Sequence, residues 1–460
     1  MNIRTIHSVY FIGIGGIGMS ALARYFKNEE KNVAGYDRTM TALTNTLEDE
    51  GCDIHFDDDI ALIPDSFKNE KDKVLVIYTP AIPQSHSELN YFINNDFEVI
   101  KRSKALGLII KDKKGIAVAG THGKTTVSSI ITHIFDSSEL GCSAFLGGIL
   151  TKYNSNYIAN NKSEVVIVEA DEYDRSFLQL SPAVAVITSM DADHLDIYGD
   201  LKTMVISFNQ FAEQVQKNGI LLINSKISSE IQCRDDILKY TYSLEDKSDF
   251  YVRECKIEQG KYIIAVASPF GIINDIEVSI PGKINVENTV AAIAVAMLQG
   301  IESDHIRSSV SSFEGIKRRF EYIINDNDLV YIDDYAHHPE ELSASISSVS
   351  ELYPDKKITG IFQPHLFSRT RDFADEFAVS LSMLDELILL DIYPARELPI
   401  ENVDARLIYD KIKSENKTLT TLDNLVDVVK TKDVEILITL GAGSIDKMVE
   451  PIKNYLLKNK

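Results

Sequence analysis

The chain has 460 residues, of which 44% are hydrophobic and 25% are charged, and its formal net charge at pH 7 is −22. This mixture is typical of a folded globular protein, and roughly 150 residues per domain predicts about three domains. The acidic balance argues against a nucleic-acid partner, which needs a positive surface stripe, but is compatible with nucleotides held by backbone N–H groups.

No stretch reaches the roughly 18 unbroken apolar residues that a membrane span requires. The apolar run at residues 9–19 contains several glycines and lacks the basic start and the cleavage site of a signal peptide. The four cysteines are scattered without C-x-x-C spacing, which predicts unpaired thiols. We therefore expect a cytoplasmic protein with no membrane partner.

Short apolar runs rich in β-branched residues alternate with amphipathic segments along the whole chain. The runs predicted as buried strands are, in chain order, HSVYFIGIG, KVLVIYTPAI, GIAVAG, EVVIVEA, AVAVIT, LVYIDD, KITGIF, ELILLDI and EILITLGAG. Helices are predicted between them, for example at residues 19–31 and 125–138. This alternation indicates an α/β fold with parallel sheets covered on both faces. Two glycine-rich turns at strand–helix junctions favour doubly wound sheets over a barrel.

Two charged breaks, KDKKG at residues 111–115 and EGIKRR at residues 314–319, are candidate domain boundaries. The predicted domains are 1–110, 111–316 and 317–460. Residues 225–280 are more polar and less regular, and the stretch KYIIAVAS within them is a candidate antiparallel strand.

The first glycine-rich turn follows the first predicted strand. Gly13, Gly15 and Gly18 form a G-x-G-x-x-G pattern with Gly16 inside it, and Asp37 follows at the distance of a ribose-binding acid. Such a turn offers free N–H groups and the positive end of a helix dipole to a diphosphate. The motif alone predicts either a nicotinamide dinucleotide or another nucleoside diphosphate such as a UDP-sugar.

The second glycine-rich turn, VAGTHGKTT, occupies residues 118–126 between a strand and a helix. Its candidate ATP-binding residues are Gly120, Thr121, His122, Gly123, Lys124, Thr125 and Thr126. Backbone N–H groups can surround the phosphates, the Lys124 ammonium can bridge them, and the Thr125 hydroxyl can reach Mg²⁺. Val118 stands where a general P-loop has glycine, and the alternative is an ordinary strand–helix turn.

Carboxylates follow the next two predicted strands. Glu169 ends one of them, and Asp191, Asp193, His194 and Asp196 come after the other. Carboxylate oxygen suits Mg²⁺, and imidazole is a less usual ligand for it. The alternative is that these acids cap helices; together with the G-K-T-T sequence they favour a metal site.

Nine stretches, in order, resemble those of the Mur ligase family, which builds the peptide stem of peptidoglycan. They are GIGGIGMSALA, GTHGKTT, EADEYDRSFL, DHLDIYGD, NVENTVAAIAVA, GIKRRFE, DDYAHHPEE, FQPHLFSRTRD and GAGSID. The resemblance implies a Rossmann-like N-terminal domain that binds a UDP-sugar and a central P-loop-type ATPase domain with a mostly parallel sheet. The C-terminal domain would be a Rossmann-like α/β domain that binds the amino acid and closes over ATP. Two phosphate-binding loops are then expected because two phosphorylated substrates bind at once.

The activity implied by the resemblance is ATP-dependent amide formation in cytoplasmic peptidoglycan precursor synthesis. The lactyl carboxylate of UDP-N-acetylmuramate would attack the γ-phosphate of ATP and become an acyl phosphate. The amine of L-alanine would then attack this carbonyl, and phosphate would leave from a tetrahedral intermediate. The implied ligands are ATP, Mg²⁺, UDP-N-acetylmuramate and L-alanine, and the protein would be a monomer or homodimer.

The resemblance also implies roles for individual residues. Lys124, His194 and Arg369 would be catalytic; Thr125 and Glu169 would hold one Mg²⁺ and His194 a second. Asn288 would lie near adenine, Arg318 or its neighbour Arg319 would meet the ATP phosphates, and Asp334 would meet the ribose. Tyr335, His337, His338, His365 and Arg369 would contact the amino acid or substrate, with Arg369 forming a fork to the alanine carboxylate. The alternatives are a solvated basic linker for the arginines and helix capping for the adjacent histidines.

Three positions depart from the family pattern. Phe208 stands where related ligases have a lysine that is carbamylated and binds metal, so no such lysine is expected here. Ile284 replaces an adenine-stacking histidine, and Leu366 replaces an arginine of the amino-acid pocket.

Three other functions compete with alanine addition. One is a ligase that attaches a recycled murein tripeptide to the same UDP-sugar. A second is an NAD-binding regulatory or redox protein, which leaves the second glycine loop unexplained. The third is a folate-type polyglutamate ligase, which lacks an N-terminal UDP-binding domain.

Overall fold

The computed structural model describes residues 3–111, 113–191, 198–245, 247–258, 261–395 and 397–458, apart from the side chain of Arg4. The chain forms two compact units. Unit 1 comprises Met1–Cys255, Ile264–Ile276 and Glu287–Phe313, and unit 2 comprises Lys256–Ile263, Glu277–Val286 and Glu314–Lys460. None of the described helices combines the length and the apolar character needed to cross a bilayer.

The first sheet of unit 1 is wholly parallel. Its strands are β1 Ser8–Ile12, β2 Asn32–Tyr36, β3 Asp53–His55, β4 Val74–Tyr78 and β5 Glu98–Lys101, and their order is β3-β2-β1-β4-β5. Its helices are α1 Ile17–Asn28, α2 Ala42–Asp49, α3 Asp65–Lys68, α4 Ser87–Asn94 and α5 Arg102–Ile110. The order reverses at β1, which places the first glycine turn at the switch point of a doubly wound sheet.

The second sheet has ten strands in the order β15-β14-β13-β12-β11-β10-β6-β9-β7-β8. They are β6 Lys114–Ala119, β7 Ser143–Leu150, β8 Ser155–Ile158, β9 Val165–Glu169, β10 Val184–Ile187, β11 Ile220–Asn224, β12 Leu238–Ser243, β13 Phe250–Glu258, β14 Lys261–Ser268 and β15 Gly271–Val278. The pairs from β7 through β9, β6, β10, β11 and β12 to β13 are parallel, and β8 is antiparallel to β7. The helices of this part are α6 Lys124–Asp136, α7 Leu201–Glu213, α8 Lys283–Leu298 and α9 Ser303–Ser311.

The third sheet belongs to unit 2 and has the order β16-β17-β21-β18-β19-β20. Its strands are β16 Glu321–Asn325, β17 Val330–Asp334, β18 Ile358–Phe362, β19 Glu386–Leu390, β20 Lys417–Thr420 and β21 Ile436–Leu440. Only β16 runs antiparallel to its neighbour. The helices are α10 Pro339–Leu352, α11 Phe367–Asp372, α12 Ala374–Leu381, α13 Arg406–Tyr409, α14 Leu425–Val429 and α15 Val449–Lys458.

These three sheets confirm the predicted α/β class. Each of the nine apolar runs predicted as a buried strand forms one, and the candidate strand KYIIAVAS is β14. Cys52, Cys142, Cys233 and Cys255 are thiols rather than disulfides, as predicted. The strands that the patterns did not predict are mostly short or carry polar residues, such as β3 and β20, whose sequences DIH and KTLT lack a continuous apolar run.

Phe208 on α7 belongs to an aromatic cluster of the core. Its ring is fully buried and lies 5.2 Å from the ring of Phe177, edge to face. Phe211, one turn further along α7, stacks on the same Phe177 at 5.0 Å. Phe208, which is predicted to stand where related ligases have a metal-binding lysine, therefore packs in the hydrophobic core.

Replacing Phe208 by Ala is expected to lower the free energy of unfolding of unit 1 by about 3–5 kcal/mol, because a buried ring is lost and a cavity remains. Ile206→Ala is the matched control, since Ile206 lies on the same helix but is 50% exposed; its effect should stay within about 0.5 kcal/mol. Urea denaturation of both variants measures this. Equal losses in the two variants would contradict the packing role.

A second, polar cluster is buried beneath the first sheet. The Tyr10 hydroxyl donates to Glu88 Oε2 at 2.8 Å and lies 2.8 Å from His55 Nε2. Glu88 is fully buried at the start of α4, and His86, beside it, lies 3.2 Å from Asp58. Burial raises the pKa of Glu88 to about 7. This carboxyl group is therefore easier to bury when it is protonated.

The raised pKa of Glu88 predicts a loss of stability with rising pH. Between about pH 4.3 and 7 the folded protein binds the proton that the unfolded chain has already released, so unfolding becomes easier as pH rises through this window. Glu88→Gln is expected to remove up to about 3 kcal/mol of this dependence. Urea midpoints between pH 4.5 and 8 measure the slope, and Glu48→Gln, at an exposed position of α2, is the control. A slope unchanged in Glu88→Gln would contradict the prediction.

Candidate active site

The second glycine loop (residues 118–126) is anchored to the segment after β10. Thr121 Oγ1 lies 2.8 Å from Ser189 Oγ and accepts from the backbone N–H of Asp191 at 3.0 Å. The N–H of His122 donates to Ser189 Oγ at 2.8 Å. These bonds connect the turn between β6 and α6 to the segment after β10, at the carboxyl edge of the sheet.

Lys124, the first residue of α6, turns back over this loop. Its ammonium donates to the carbonyls of Gly120 at 2.6 Å and Thr121 at 3.3 Å, and to Glu172 Oε1 at 2.9 Å. Glu172 is 1% exposed, and its backbone carbonyl accepts from the Tyr198 hydroxyl at 2.6 Å. The P-loop lysine is thus paired with an almost fully buried carboxylate that the sequence patterns did not identify.

The electrostatics of this pair follow from burial. Burial raises the pKa of Glu172 to about 7, against the attraction of Lys124. Burial alone would lower the pKa of Lys124, but Glu172 and Glu169 outweigh it, so this pKa lies above its ordinary value. The Lys124 ammonium therefore stays charged.

Thr125 and Glu169 were predicted as ligands of a first Mg²⁺. Glu169 ends β9, directly beside Val118 in the parallel register, and its Oε2 accepts from the N–H of Gly147 at 3.0 Å. Thr125 is buried in the first turn of α6, and Thr126 follows it. A hydroxyl and a carboxylate are hard oxygen donors of the kind that Mg²⁺ takes, so this pair fits the metal.

The remaining predicted ligand of the metal, His194, lies outside the described residues, together with Asp193 and Asp196. Within the ranges that the structure describes, no group of three or more His, Cys, Asp or Glu side chains is arranged to hold a metal ion.

Asn288 on α8 contacts the second glycine loop. Gly123 has a φ of +84°, and a Cβ atom there would lie 2.6 Å from Asn288 Oδ1. Asn288 is buried. Its place near adenine stays a prediction. Ile284, in the first turn of the same helix, is 54% exposed.

An acidic and a basic side chain from other segments, Asp37 and Arg102, lie against the first glycine loop. The N–H of Gly15 donates to Asp37 Oδ2 at 2.8 Å. A Cβ atom on Gly18 would clash with Arg102 Nη1, so the absence of a side chain lets this guanidinium reach the start of α1. Arg102 Nη2 also donates to Asp171 Oδ2 at 2.7 Å. Asp171 directly precedes Glu172, the partner of Lys124. The basic stretch K-R-S-K was the available signal for Arg102.

Gly13 and Gly16 complete this turn. The N–H of Gly13 donates to the carbonyl of Tyr36 at 2.8 Å, and Gly16 caps the N-terminus of α1. The N–H groups of the first turn of α1 thus face the same edge of the sheet as Asp37.

In unit 2, Arg318 is engaged by groups of its own unit. Its Nε donates to Asp333 Oδ2 at 3.2 Å and its Nη2 to the carbonyl of Gly441 at 2.5 Å. Thr439 Oγ1 donates to the other oxygen of Asp333 at 2.6 Å. Burial outweighs these partners and raises the pKa of Asp333. Asp333, next to the predicted Asp334, was missed by the sequence patterns.

Two arginine guanidinium groups lie close to the ring of Tyr335. The guanidinium of Arg318 is 5.3 Å from the centre of this ring and that of Arg319 is 5.1 Å away. Asp334, before it, accepts from Ser345 Oγ at 2.6 Å, and burial raises its pKa. The predicted residues Arg318, Asp334 and Tyr335 therefore meet at the end of β17.

The two histidines at the start of α10 share one partner, Glu341. The backbone N–H groups of His337 and His338 donate to Glu341 Oε2 at 3.0 and 3.2 Å. Burial alone would raise the pKa of Glu341, but the hydrogen bonds and charge of His337 hold it well below its ordinary value. The alternative of helix capping thus describes His338, which is the N-cap residue, with Pro339 as the first helical residue.

His365 stacks on Tyr393 at 5.7 Å and meets His337 edge to face at 5.8 Å. Arg369 follows on α11, and its Nη1 is buried with no hydrogen-bond partner among the described residues. Leu366 caps this helix with a φ of +72° and a ψ of +138°, a conformation that an L-residue rarely adopts. His337 and His365 thus lie on the loops after β17 and β18, and Arg369 lies on the helix that follows the second loop.

Known proteins extend these observations to the whole chain. The family description "Mur ligase family, catalytic domain" matches residues 8–114, "Mur ligase middle domain" matches residues 118–296, and "Mur ligase, glutamate ligase domain" matches residues 318–443. The fold and the two glycine turns define an α/β protein of the kind that holds phosphate groups at strand–helix junctions. The chain belongs to the Mur ligase family, and the resemblance inferred from the nine stretches is confirmed.

Individual relatives match over the full length. The UDP-N-acetylmuramate–L-alanine ligase of Parabacteroides distasonis is 49% identical over 458 residues, covering 100% of this chain and 99% of that protein. The ligase of the same name from Flavobacterium psychrophilum is 50% identical over 457 residues, covering 99% of each. The crystal structure of a UDP-N-acetylmuramate–alanine ligase from Thermotoga maritima has a TM-score of 0.83 at 25% identity, covering 98% of this chain and 100% of that one.

Replacing Gly123 by Ala is expected to destabilise unit 1 in two ways. The left-handed φ costs about 1–2 kcal/mol for a residue with a Cβ, and the new methyl displaces Asn288. Gly300→Ala is the matched control, because Gly300 has a φ of +79° with open space around it. Thermal unfolding should show a larger loss for Gly123→Ala, and Gly123→Ala/Asn288→Ala should recover the difference. Equal losses at the two glycines would contradict the contact with Asn288.

Proposed function

We propose that the protein is an ATP-dependent ligase that joins L-alanine to the lactyl carboxylate of UDP-N-acetylmuramate in peptidoglycan precursor synthesis. The observation that carries the proposal is the match, at about half identity over the whole length, to ligases of that name. The likeness to murein peptide ligases is 20% identical and bears on the fold alone.

The two glycine loops of unit 1 suit the two phosphorylated substrates. In this proposal, residues Gly13 to Gly18 hold the diphosphate of the UDP-sugar, Asp37 meets its ribose, and Arg102 adds a positive charge beside the turn. The second loop holds the phosphates of ATP, with Lys124 balancing the charge on the transferred phosphoryl group. Asn288 would contact the same nucleotide. The proposed division of labour follows domains 1–110, 111–316 and 317–460.

Mg²⁺ would supply charge neutralisation to the β- and γ-phosphates when it is bound. Thr125 and Glu169 would hold it through their oxygens, and His194 is proposed as the ligand of a second ion on the resemblance alone. The residues of this chain contribute by positioning the substrates. The loop N–H groups and the Lys124 ammonium orient the γ-phosphate toward an incoming carboxylate.

Unit 2 carries the residues proposed for the amino acid. Arg369 has a buried donor, Nη1, without a partner among the described residues, and a guanidinium binds a carboxylate in a fork. His337 and His365 lie on the loops after β17 and β18, and the centres of their rings are 5.8 Å apart. Arg318 and Asp334 are proposed for the phosphates and the ribose of ATP, and Tyr335 for the amino acid or substrate. The partners are therefore ATP, UDP-N-acetylmuramate and L-alanine.

The test of the function is phosphate release from ATP with each acceptor and each amine in turn. We expect release to require both UDP-N-acetylmuramate and an amine, with L-alanine preferred over glycine, L-serine and the murein tripeptide. Preference for the tripeptide would replace the proposed activity by the alternative ligase. ATP consumption that is indifferent to the muramyl acceptor would refute it.

Lys124→Ala is expected to lower turnover by at least about 10³-fold, as removal of a charge stabiliser of the transition state does, and to leave the affinity for UDP-N-acetylmuramate within about twofold. Because the change removes the ammonium that faces the buried Glu172 carboxylate, Lys124→Ala/Glu172→Gln serves as a second variant that keeps the site neutral. Lys113→Ala removes a half-exposed lysine near β6, whose Nζ lies 3.6 Å from Glu164, and is the control. Equal loss of turnover and UDP-sugar binding would contradict the separation of the two loops.

A further inference from the structure

Three oxygen atoms of the protein already satisfy the Lys124 ammonium. An ammonium has three N–H donors, and here they point to Gly120 O at 2.6 Å, Glu172 Oε1 at 2.9 Å and Thr121 O at 3.3 Å. A phosphate oxygen that binds this ammonium must therefore replace one of these acceptors. The two carbonyls are part of the loop backbone, so Glu172 is the only one of the three whose acceptor is a side chain.

Glu172 is also the only charged member of this set. Its second oxygen, Oε2, lies 2.8 Å from Lys124 Nζ, so both carboxylate oxygens face the ammonium. The side chain is 1% exposed, and its backbone is held by the Tyr198 hydroxyl. A carboxylate in this position attracts the lysine and repels an incoming phosphate, and weak screening by solvent makes both effects strong.

We propose that Glu172 is a positioning residue that holds Lys124 against its own loop and competes with the phosphates of ATP for the ammonium. The inference rests on the proposed function, because it needs the second loop to bind ATP. The apparent affinity for the nucleotide is then the intrinsic affinity multiplied by the fraction of protein in which Lys124 is not held by Glu172. The residue sets how tightly ATP binds without touching ATP itself.

Glu172→Gln tests the inference because it keeps the size and a hydrogen-bonding oxygen and removes the charge. Isothermal titration with β,γ-methylene-ATP and Mg²⁺ should give a Kd about fivefold lower than that of the parent protein. The KM for ATP should fall by a similar factor while kcat stays within about twofold, since a uniform gain in binding leaves kcat unchanged. Glu172→Asp keeps the charge on a shorter side chain and should tighten binding less.

Asp174→Asn is the matched control. Asp174 lies on the same loop, and its carboxylate pairs with Lys101 at 2.7 Å rather than with Lys124. Its Kd for the analogue should stay within about twofold of the parent value. The affinity of every variant for UDP-N-acetylmuramate should also be unchanged, which shows that unit 1 is folded.

The outcomes separate the two proposals. If Lys124→Ala weakens binding of the analogue and Glu172→Gln leaves it unchanged or weaker, the competitive role of Glu172 is wrong and the ATP site stands. If Lys124→Ala leaves analogue binding unchanged as well, the proposed ATP site itself is wrong. Tighter binding in Glu172→Gln but not in Asp174→Asn supports the inference.

Discussion

The parallel register of the central sheet is the constraint on which the candidate site depends. Val118 of β6 lies beside Glu169 of β9, and Ala119 lies beside Ile187 of β10. In a parallel sheet the carboxyl ends of neighbouring strands emerge at one edge, so loops that are far apart in the chain meet there. The glycine loop, Glu169, Glu172 and the Ser189–Asp191 segment become neighbours for this reason.

Charge balance shapes this edge of the sheet. Lys124 and Glu172 are buried together, and each would be costly to bury alone. The same rule holds elsewhere in the chain: Arg102 is matched by Asp171 beside the first glycine loop, and Arg318 by Asp333 in unit 2. Each cation proposed for a substrate phosphate thus has a carboxylate of the protein as its partner.

In unit 2 the loops that follow parallel strands also meet at one edge of a sheet. The loops after β17 and β18 place Tyr335, His337, His365 and Arg369 at one edge of the third sheet. Glu341 fixes the turn that carries the two histidines, and Tyr393 supports the ring of His365. Leu366 stands where relatives are expected to have an arginine, and it carries no charge. Arg369, on the helix that follows, is therefore the arginine proposed to bind a carboxylate.

The sequence by itself determined the α/β class, nine of the buried strands, the positions of both glycine turns and the family, because these depend on local patterns of apolar runs, glycines and charged breaks. It also marked Gly15 and Asp37 as members of one nucleotide-binding pattern, since the spacing of the glycines and the acid is typical of such a turn. Only the tertiary structure decided which charges pair. Glu172 and Arg102 had no local pattern that pointed to Lys124 or Gly18, because their partners lie 48 residues and more in sequence away. Phe208 and Asn288 likewise acquired a core position and a loop contact only when helices packed on the sheet, since such contacts join distant stretches and depend on shape rather than on spacing.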